Sequence, residues 1–288
     1  MIKPVLQDDA FLAAVRDASS DRNFFLWWVG QSGFLVKWQG KQLLFDPYLS
    51  DSLTRKYADS EKPHDRLTEI VVRPELLEGV QLATSSHNHT DHLDAETLHQ
   101  LLAVNPELIL ILPTANVDFA NDRLKSNPPT FLPVDAGETV ESHGFSITGI
   151  LAAHDEIQLD QNGKSHLIGF VAKFGPWTIY HSGDTRWHNR LVPDLLPHPV
   201  DVALVPINGY KPERRVAGNL NGTEAACLAK AIEARVAIPH HFEMFAFNTE
   251  TPEEFEQTAK RLDQPVKVLQ AGETWCSDEL PVIESNIK

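Results

Sequence analysis

The chain has 288 residues, 42% apolar and 23% charged, enough to bury one large core, and no Gly/Ser-rich or Pro-rich linker divides it, so residues 1–288 read as a single domain. A formal charge of −15 sets up a field that repels polyanions and argues against a nucleic-acid partner. Two cysteines, Cys227 and Cys276, exclude a disulfide framework and suit a reducing compartment; Met1 to Asp9 lacks the apolar core of an export signal, and no stretch reaches about 18 uninterrupted apolar residues, the pattern of a soluble cytoplasmic protein without a membrane span.

In chain order, Phe24 to Val29, Gly33 to Trp38 and Gln42 to Asp46 are β-rich runs separated by glycine-bearing turns, which predicts an antiparallel meander with its aromatic residues in the core. Asp46 ends the third run before Pro47, a place where a carboxylate either orients a ligand or caps a turn. Val80 to Thr84 reads as a short strand. Asp94 then caps a helix over Ala95 to Leu102, whose leucines recur at helical spacing. Further strands are expected over 108–112, 145–151, 167–174, 177–180, 202–205, 236–238 and 266–269. Helices are expected from about Thr223 and after Thr251, with Thr251 as the cap and Pro252 at the first helical position. Early strands followed by mixed strands and helices imply two sheets with helices packed outside.

Between the fourth strand and its helix lies Ser86-His87-Asn88-His89-Thr90-Asp91-His92-Leu93-Asp94. Random placement of this chain's His and Asp would produce the pattern His-x-His-x-Asp-His about once in 500 such sequences, so a solvated polar loop is the weaker reading. In a strand-to-helix loop His87 and His89 can face one ion while Asp91 and His92 turn to a second. Imidazole nitrogen and carboxylate oxygen suit Zn, Mn, Fe or Co. Similar residue types follow later strands directly: His154, Asp184 and the pair His240-His241. Strand ends converging on one rim would bring them together.

Taken in order, His87-x-His89-x-Asp91-His92, His154, Ser182-Gly183-Asp184-Thr185 and Pro239-His240-His241 resemble the motifs of the metallo-β-lactamase superfamily over about residues 24–275. The resemblance implies an αββα sandwich, an α/β fold of two mixed sheets flanked by helices, with a dinuclear site on its edge. It implies that His87, His89 and His154 hold one ion, that Asp91, His92 and His241 hold the other, and that Asp184 bridges them. Asp46 corresponds to the family's strand-end aspartate, which orients a ligating imidazole. His240 falls outside the set, since Pro-x-His puts the ligand at the second position. Asp184 stands where β-lactamases of the superfamily commonly use cysteine, which with the missing export signal argues against antibiotic hydrolysis. The strings Trp27 to Gly33, Tyr180 to Asp184 and Ile238 to His241 are similar to the branch of ascorbate-6-phosphate lactonase and the N-acyl phosphatidylethanolamine phospholipase D-like hydrolases.

Two divalent ions, Zn or Mn with Fe also fitting, would acidify a bridging water and polarise a carbonyl or phosphoryl oxygen. Asp91 and Asp184 would hold metal and nucleophile in place, and His181 or His188 would protonate the leaving group where either faces the cleft. The resulting expectation is a cytosolic metal-dependent hydrolase of a small phosphorylated lactone or ester, with Arg186, Arg190, Lys211, Arg214 and Arg215 as anion contacts or as solvated surface charges. A phosphodiesterase is the nearest alternative, and a non-catalytic metal-binding or scaffold protein is the alternative of another class. The acidic charge and the lack of a basic, glycine-rich arm argue against a tRNA-processing nuclease. The partner expected is a small-molecule substrate, with a homo-oligomer left open. Segments 56–73 and 210–222, polar and broken by Pro or Gly, read equally as loops over the site or as ordinary surface loops.

Overall fold

A computed structural model describes residues 1–281. In chain order the strands are β1 (Phe25–Gly30), β2 (Gly33–Trp38), β3 (Lys41–Phe45), β4 (Val80–Thr84), β5 (Ile109–Pro113), β6 (Thr130–Val134), β7 (Thr139–Ser142), β8 (Phe145–Leu151), β9 (Ile168–Phe174), β10 (Trp177–His181), β11 (Val202–Pro206), β12 (Val236–His240) and β13 (Thr274–Cys276). The α-helices are α1 (Asp8–Asp17), α2 (Ser52–Lys56), α3 (Ala95–Val104), α4 (Val117–Arg123), α5 (Leu191–Leu195), α6 (Gly222–Ala231) and α7 (Glu253–Leu262).

Seven strands form one sheet in the order β13-β1-β2-β3-β4-β5-β6 and six form the other in the order β12-β11-β10-β9-β8-β7. Each sheet is antiparallel on one side and parallel on the other. The expected meander β1-β2-β3 pairs antiparallel, and β3-β4-β5-β6 run parallel. In the second sheet β7-β8-β9-β10 are antiparallel and β10-β11-β12 parallel. Parallel neighbours require crossovers, which α3, α4 and α6 supply. These are the two mixed sheets flanked by helices that the resemblance implied.

The sheets share one apolar core. Phe24 meets Phe174 edge-on at 5.4 Å, Trp38 meets Phe174 at 5.6 Å, and Phe45 stacks on His181 at 4.9 Å. Apart from the edge strand β6, the strands of the parallel halves are buried on nearly every residue, which is why 109–113 and 202–206 read as continuous apolar runs.

Two expectations at element level need correction. Residues 266–269 form no strand; Val266 makes a single parallel bridge to Ala237 beside the edge strand β12. Helix α7 starts at Glu253 with Pro252 in the cap position, and Thr251 does not cap it, because the Pro252 carbonyl already accepts the first helical bond from the Glu256 amide at 2.9 Å. Asp94 caps α3 as expected, accepting from the Thr97 amide, and α6 begins at Gly222 behind a capping box of Asn221 and Glu224.

Candidate metal centre

Every residue of the expected ligand set lies just past the C-terminal end of a strand. His87, His89, Asp91 and His92 follow β4, His154 follows β8, Asp184 follows β10 and His241 follows β12. Asp46 follows β3. Three overlapping groups have all their donor atoms within 4.8 Å of one another: His87, His89 and His154; His87, His92 and Asp184; and Asp91, His92 and His241. The first and third are the two ion sites that the resemblance implied. Asp184 stands between them, with Oδ2 at 3.5 Å from His154 Nε2 and 3.2 Å from His241 Nε2, and Oδ1 at 3.4 Å from His92 Nε2.

The hydrogen-bond network assigns the imidazole tautomers. Asp46 is fully buried and accepts from the Thr84 hydroxyl at 2.6 Å, from the Ser86 amide and from the Ser86 hydroxyl. Its Oδ2 also takes the Nδ1 proton of His92 at 2.7 Å. Ser86 Oγ, having given its proton to Asp46, accepts from His87 Nδ1 at 3.0 Å, and the Gly218 carbonyl accepts from His154 Nδ1 at 2.8 Å. His87 and His154 therefore turn a bare Nε2 lone pair inward, only 3.3 Å apart. Two acceptors at that distance repel unless a cation lies between them.

The charge balance points the same way. Burial alone would raise the Asp184 carboxyl, but His241 and His92 outweigh it and hold it well below the usual carboxylate range. Burial and the neighbouring imidazoles keep His87 neutral, and loss of water together with the His154 ring pushes His89 down to about 4, as ligation requires. His92 Nε2 and Asp184 Oδ1 are buried without a hydrogen-bond partner. Unpaired buried polar atoms are costly, and here they belong to donors aimed at a shared point. The residues present fit two divalent cations.

Local backbone geometry makes the site tight. Gly183 has φ +58°, and a Cβ there would lie 2.5 Å from the Ser86 Cβ. The turn that presents Asp184 from the second sheet thus presses on the turn that presents His87 from the first.

Other expectations fare differently. His181 is fully buried and does not line the cavity: Nε2 donates to the Ser32 carbonyl at 2.7 Å, Nδ1 accepts from the Gly183 amide at 3.1 Å, and the ring lies between Phe45 and His240. It positions the Gly183 turn and does not reach a leaving group. His188 is also off the cavity and bonds the Leu151 carbonyl at 3.1 Å. His240 stacks on His181 in the core, consistent with its exclusion from the ligands. Among the proposed anion contacts, Arg186 pairs with Asp155 and covers Tyr210, Arg190 pairs with Asp194, and Lys211 and Arg214 both close on Glu250. Only Arg215 of that group lines the cavity.

Several residues of the site were not singled out from sequence. Gln31, at φ +50° and 1% exposed, donates to Asp91 Oδ2 at 2.7 Å, and its carbonyl accepts the His241 amide at 3.0 Å. Arg123 donates to the carbonyls of Asn88 and Leu93 at 2.7 and 3.1 Å, bracing the metal-binding loop. The cavity of about 410 Å³ above the ligands is also lined by Lys56, Tyr57, Lys62 and His64 and by Arg215 to Ala217 and Asn219. The segments 56–73 and 210–222 are therefore walls of the site. A short polar loop carries no periodicity that would reveal this.

Comparison with known proteins agrees with the geometry. Residues 26–241 match the family model described as a beta-lactamase superfamily domain. A protein of Methanosarcina mazei named UPF0173 metal-dependent hydrolase is 27% identical over 254 residues, covering 86% of this chain and 96% of the relative. Among solved structures, the metallo hydrolase Igni18 of Ignicoccus hospitalis superposes with a TM-score of 0.63 at 20% identity, over 88% of this chain and 98% of that one. The isothiocyanate hydrolase from Delia radicum gut bacteria superposes with a TM-score of 0.69 at 18% identity, over 87% and 98%. With its family model, its two mixed sheets and its ligand order in agreement, this chain belongs to the metallo-β-lactamase superfamily.

Proposed function

We propose that the chain is a dinuclear metal-dependent hydrolase of small anionic esters or lactones. The observation that carries this is the pair of three-donor groups with Asp184 between them at the base of an open cavity. Relatives named metal-dependent hydrolases, aligned over most of the chain, support it. His87, His89 and His154 would hold one cation, Asp91, His92 and His241 the second, and Asp184 both. When bound, the pair supplies polarisation of a carbonyl or phosphoryl oxygen and acidification of the attacking water.

The chain's own residues fix that arrangement. Asp46 orients His92, Ser86 orients His87, the Gly218 carbonyl orients His154, and the Gln31 amide pins Asp91. In hydrolysis the water oxygen bonds to the acyl or phosphoryl centre, the ester oxygen departs, and the water's proton ends on that oxygen. His64 is the one imidazole of the cavity wall outside the ligand set.

An anionic substrate is supported by charge placement. In a molecule with a formal charge of −15, the cavity wall carries Lys56, Lys62, Arg123 and Arg215. Arg123 bonds only backbone carbonyls among the described residues, so its charge is not spent on a carboxylate. This favours a phosphorylated or carboxylated lactone or ester, the chemistry suggested by the likeness to the lactonase branch.

The test is metal content per chain in protein purified without chelator or added metal, beside His89→Ala, followed by assay of a phosphorylated lactone and of bis(4-nitrophenyl) phosphate. Close to two ions in the parent and clearly fewer in the variant, with lactone turnover exceeding diester turnover, is the expected result. Faster diester cleavage would replace the lactonase reading by a phosphodiesterase, and no metal uptake even after reconstitution with Zn and Mn would overturn the hydrolase.

A further inference from the structure

Part of the cavity wall does no work for the metal centre. Tyr48, Leu53, Met244 and Phe245, with Tyr57 and Phe247 packed against them, form an apolar cluster separate from the main core. Leu53, Tyr57, Phe245 and Phe247 from this cluster line the same cavity as His89, Asp91, Asp184 and His241. His64 sits among the rings, stacked on Tyr57 at 4.4 Å and 21°, and edge-on to Phe247 at 4.5 Å and to Phe245 at 5.0 Å. Its Nδ1 proton goes to the Lys62 carbonyl at 2.8 Å. Burial lowers its pKa, so at neutral pH the ring offers an uncharged aromatic face.

These rings come from two segments, the loop after α2 and the loop after His241, and none of them belongs to the large core. Side chains that gained nothing but their own packing would join that core or be replaced by polar residues on a cavity wall. Ring spacings of 4.4 to 6.5 Å are those at which aromatic groups pack offset or edge to face, so the rings hold one another as a fixed apolar wall on the cavity. A cavity of about 410 Å³ has room for one ring and a small polar head, at the low end of ligand sites and too small for a peptide or an oligonucleotide.

We propose that Tyr57, His64, Phe245 and Phe247 form a recognition subsite for an aromatic ring, so that the substrate is an anionic ester or lactone bearing an aryl group. The inference rests on the hydrolase reading of the same site. Hydrolysable group and aryl group belong to one molecule because both walls belong to one cavity.

The test reads binding, so that it does not depend on turnover. Benzyl-, 2-phenylethyl- and 3-phenylpropylphosphonate, methylphosphonate and n-hexylphosphonate are titrated into metal-loaded protein by calorimetry, for the parent, Phe247→Ala and Tyr57→Ala. Metal content and melting temperature are measured on each protein as controls for folding. The best aryl compound is expected to bind the parent at least about tenfold tighter than methylphosphonate and about threefold tighter than n-hexylphosphonate. Each variant is expected to narrow the aryl-to-methyl ratio to about threefold or less, with methylphosphonate affinity within about twofold of the parent. An aryl-to-methyl ratio below about threefold in the parent, equal binding of hexyl and aryl compounds, or a ratio unchanged in both folded variants overturns the subsite. Aryl preference without hydrolysis of any aryl lactone would refute the hydrolase reading alone, and hydrolysis without aryl preference would refute the subsite alone.

Discussion

At the scale of single residues, the ligands are less informative than what holds them. Asp46 accepts from Thr84, Ser86 and His92 at once, and the His92 and Ser86 contacts outweigh its burial to keep it ionised. Asp46→Asn keeps the size but brings an NH₂ group where three donors already converge, so His92 loses its fixed tautomer. Metal affinity at the second ion site is expected to fall by about 10- to 100-fold, measured by competition with a chelator of known affinity. Unchanged affinity would mean that Asp46 only closes its turn. His181 predicts the opposite pattern. Because both its nitrogens bond backbone and its ring is stacked in the core, His181→Gln is expected to cost about 1–3 kcal/mol of stability by urea unfolding, while turnover per bound metal stays within about threefold. A large loss of turnover in a variant that keeps its metal would return His181 to the chemistry.

Among elements, legibility in the sequence tracked periodicity and burial. The strands at 80–84 and 145–151 were expected with the bounds observed, since each is a short run ended by polar or glycine-bearing residues. Strands β6, β7 and β13 were not anticipated. β6 contains Pro133 and a mostly part-exposed surface, β7 is a polar edge strand, and β13 has three residues and finds its strand character only by pairing with β1. Helix α1 was missed because its apolar face is narrow, with only Phe11 and Val15 buried, although its acidic first turn favours a helix start. For the site, all seven candidate ligands could be named from the sequence because metal chemistry restricts residue type and order, and the fold brings them to one edge. The walls were only half legible: segments 56–73 and 210–222 and Arg215 could be named but not told from ordinary surface, and Phe247 carried no signal until the chain folds it beside the cavity. Gly183 shows how an element boundary carries function. Gly183→Ala places a methyl group against Ser86 at a left-handed φ, so the β10 turn must move and Asp184 with it. The expected result is a loss of about 2 kcal/mol or more in stability together with the loss of at least one bound ion. Full metal content with parental stability would show that the turn has slack the structure does not display.

Over the whole molecule, the candidate metal centre lies where the two sheets meet. His87, His89, Asp91 and His92 come from the seven-stranded sheet, while His154, Asp184 and His241 come from the six-stranded one. Each ion site takes donors from both sheets, so a bound cation crosses the line along which the sandwich would open. Without cations, the inward lone pairs of His87 and His154 face one another at 3.3 Å at the same edge. Binding to the folded state alone adds RT ln(1 + [L]/Kd), about 4 kcal/mol per site at a thousandfold excess over Kd. At about 2–4 °C per kcal/mol for a domain of this size class, stripping the metal is expected to lower the melting temperature by about 8–16 °C for each ion site emptied, and re-adding Zn or Mn should restore it. His89→Ala, lacking one ligand of the first site, should show a smaller drop because less metal is there to remove. A parent whose melting temperature moves by less than about 2 °C on chelation would show that the shared core of Phe24, Phe45, Phe174 and their neighbours already holds the sheets together unaided, and that the cations serve chemistry alone.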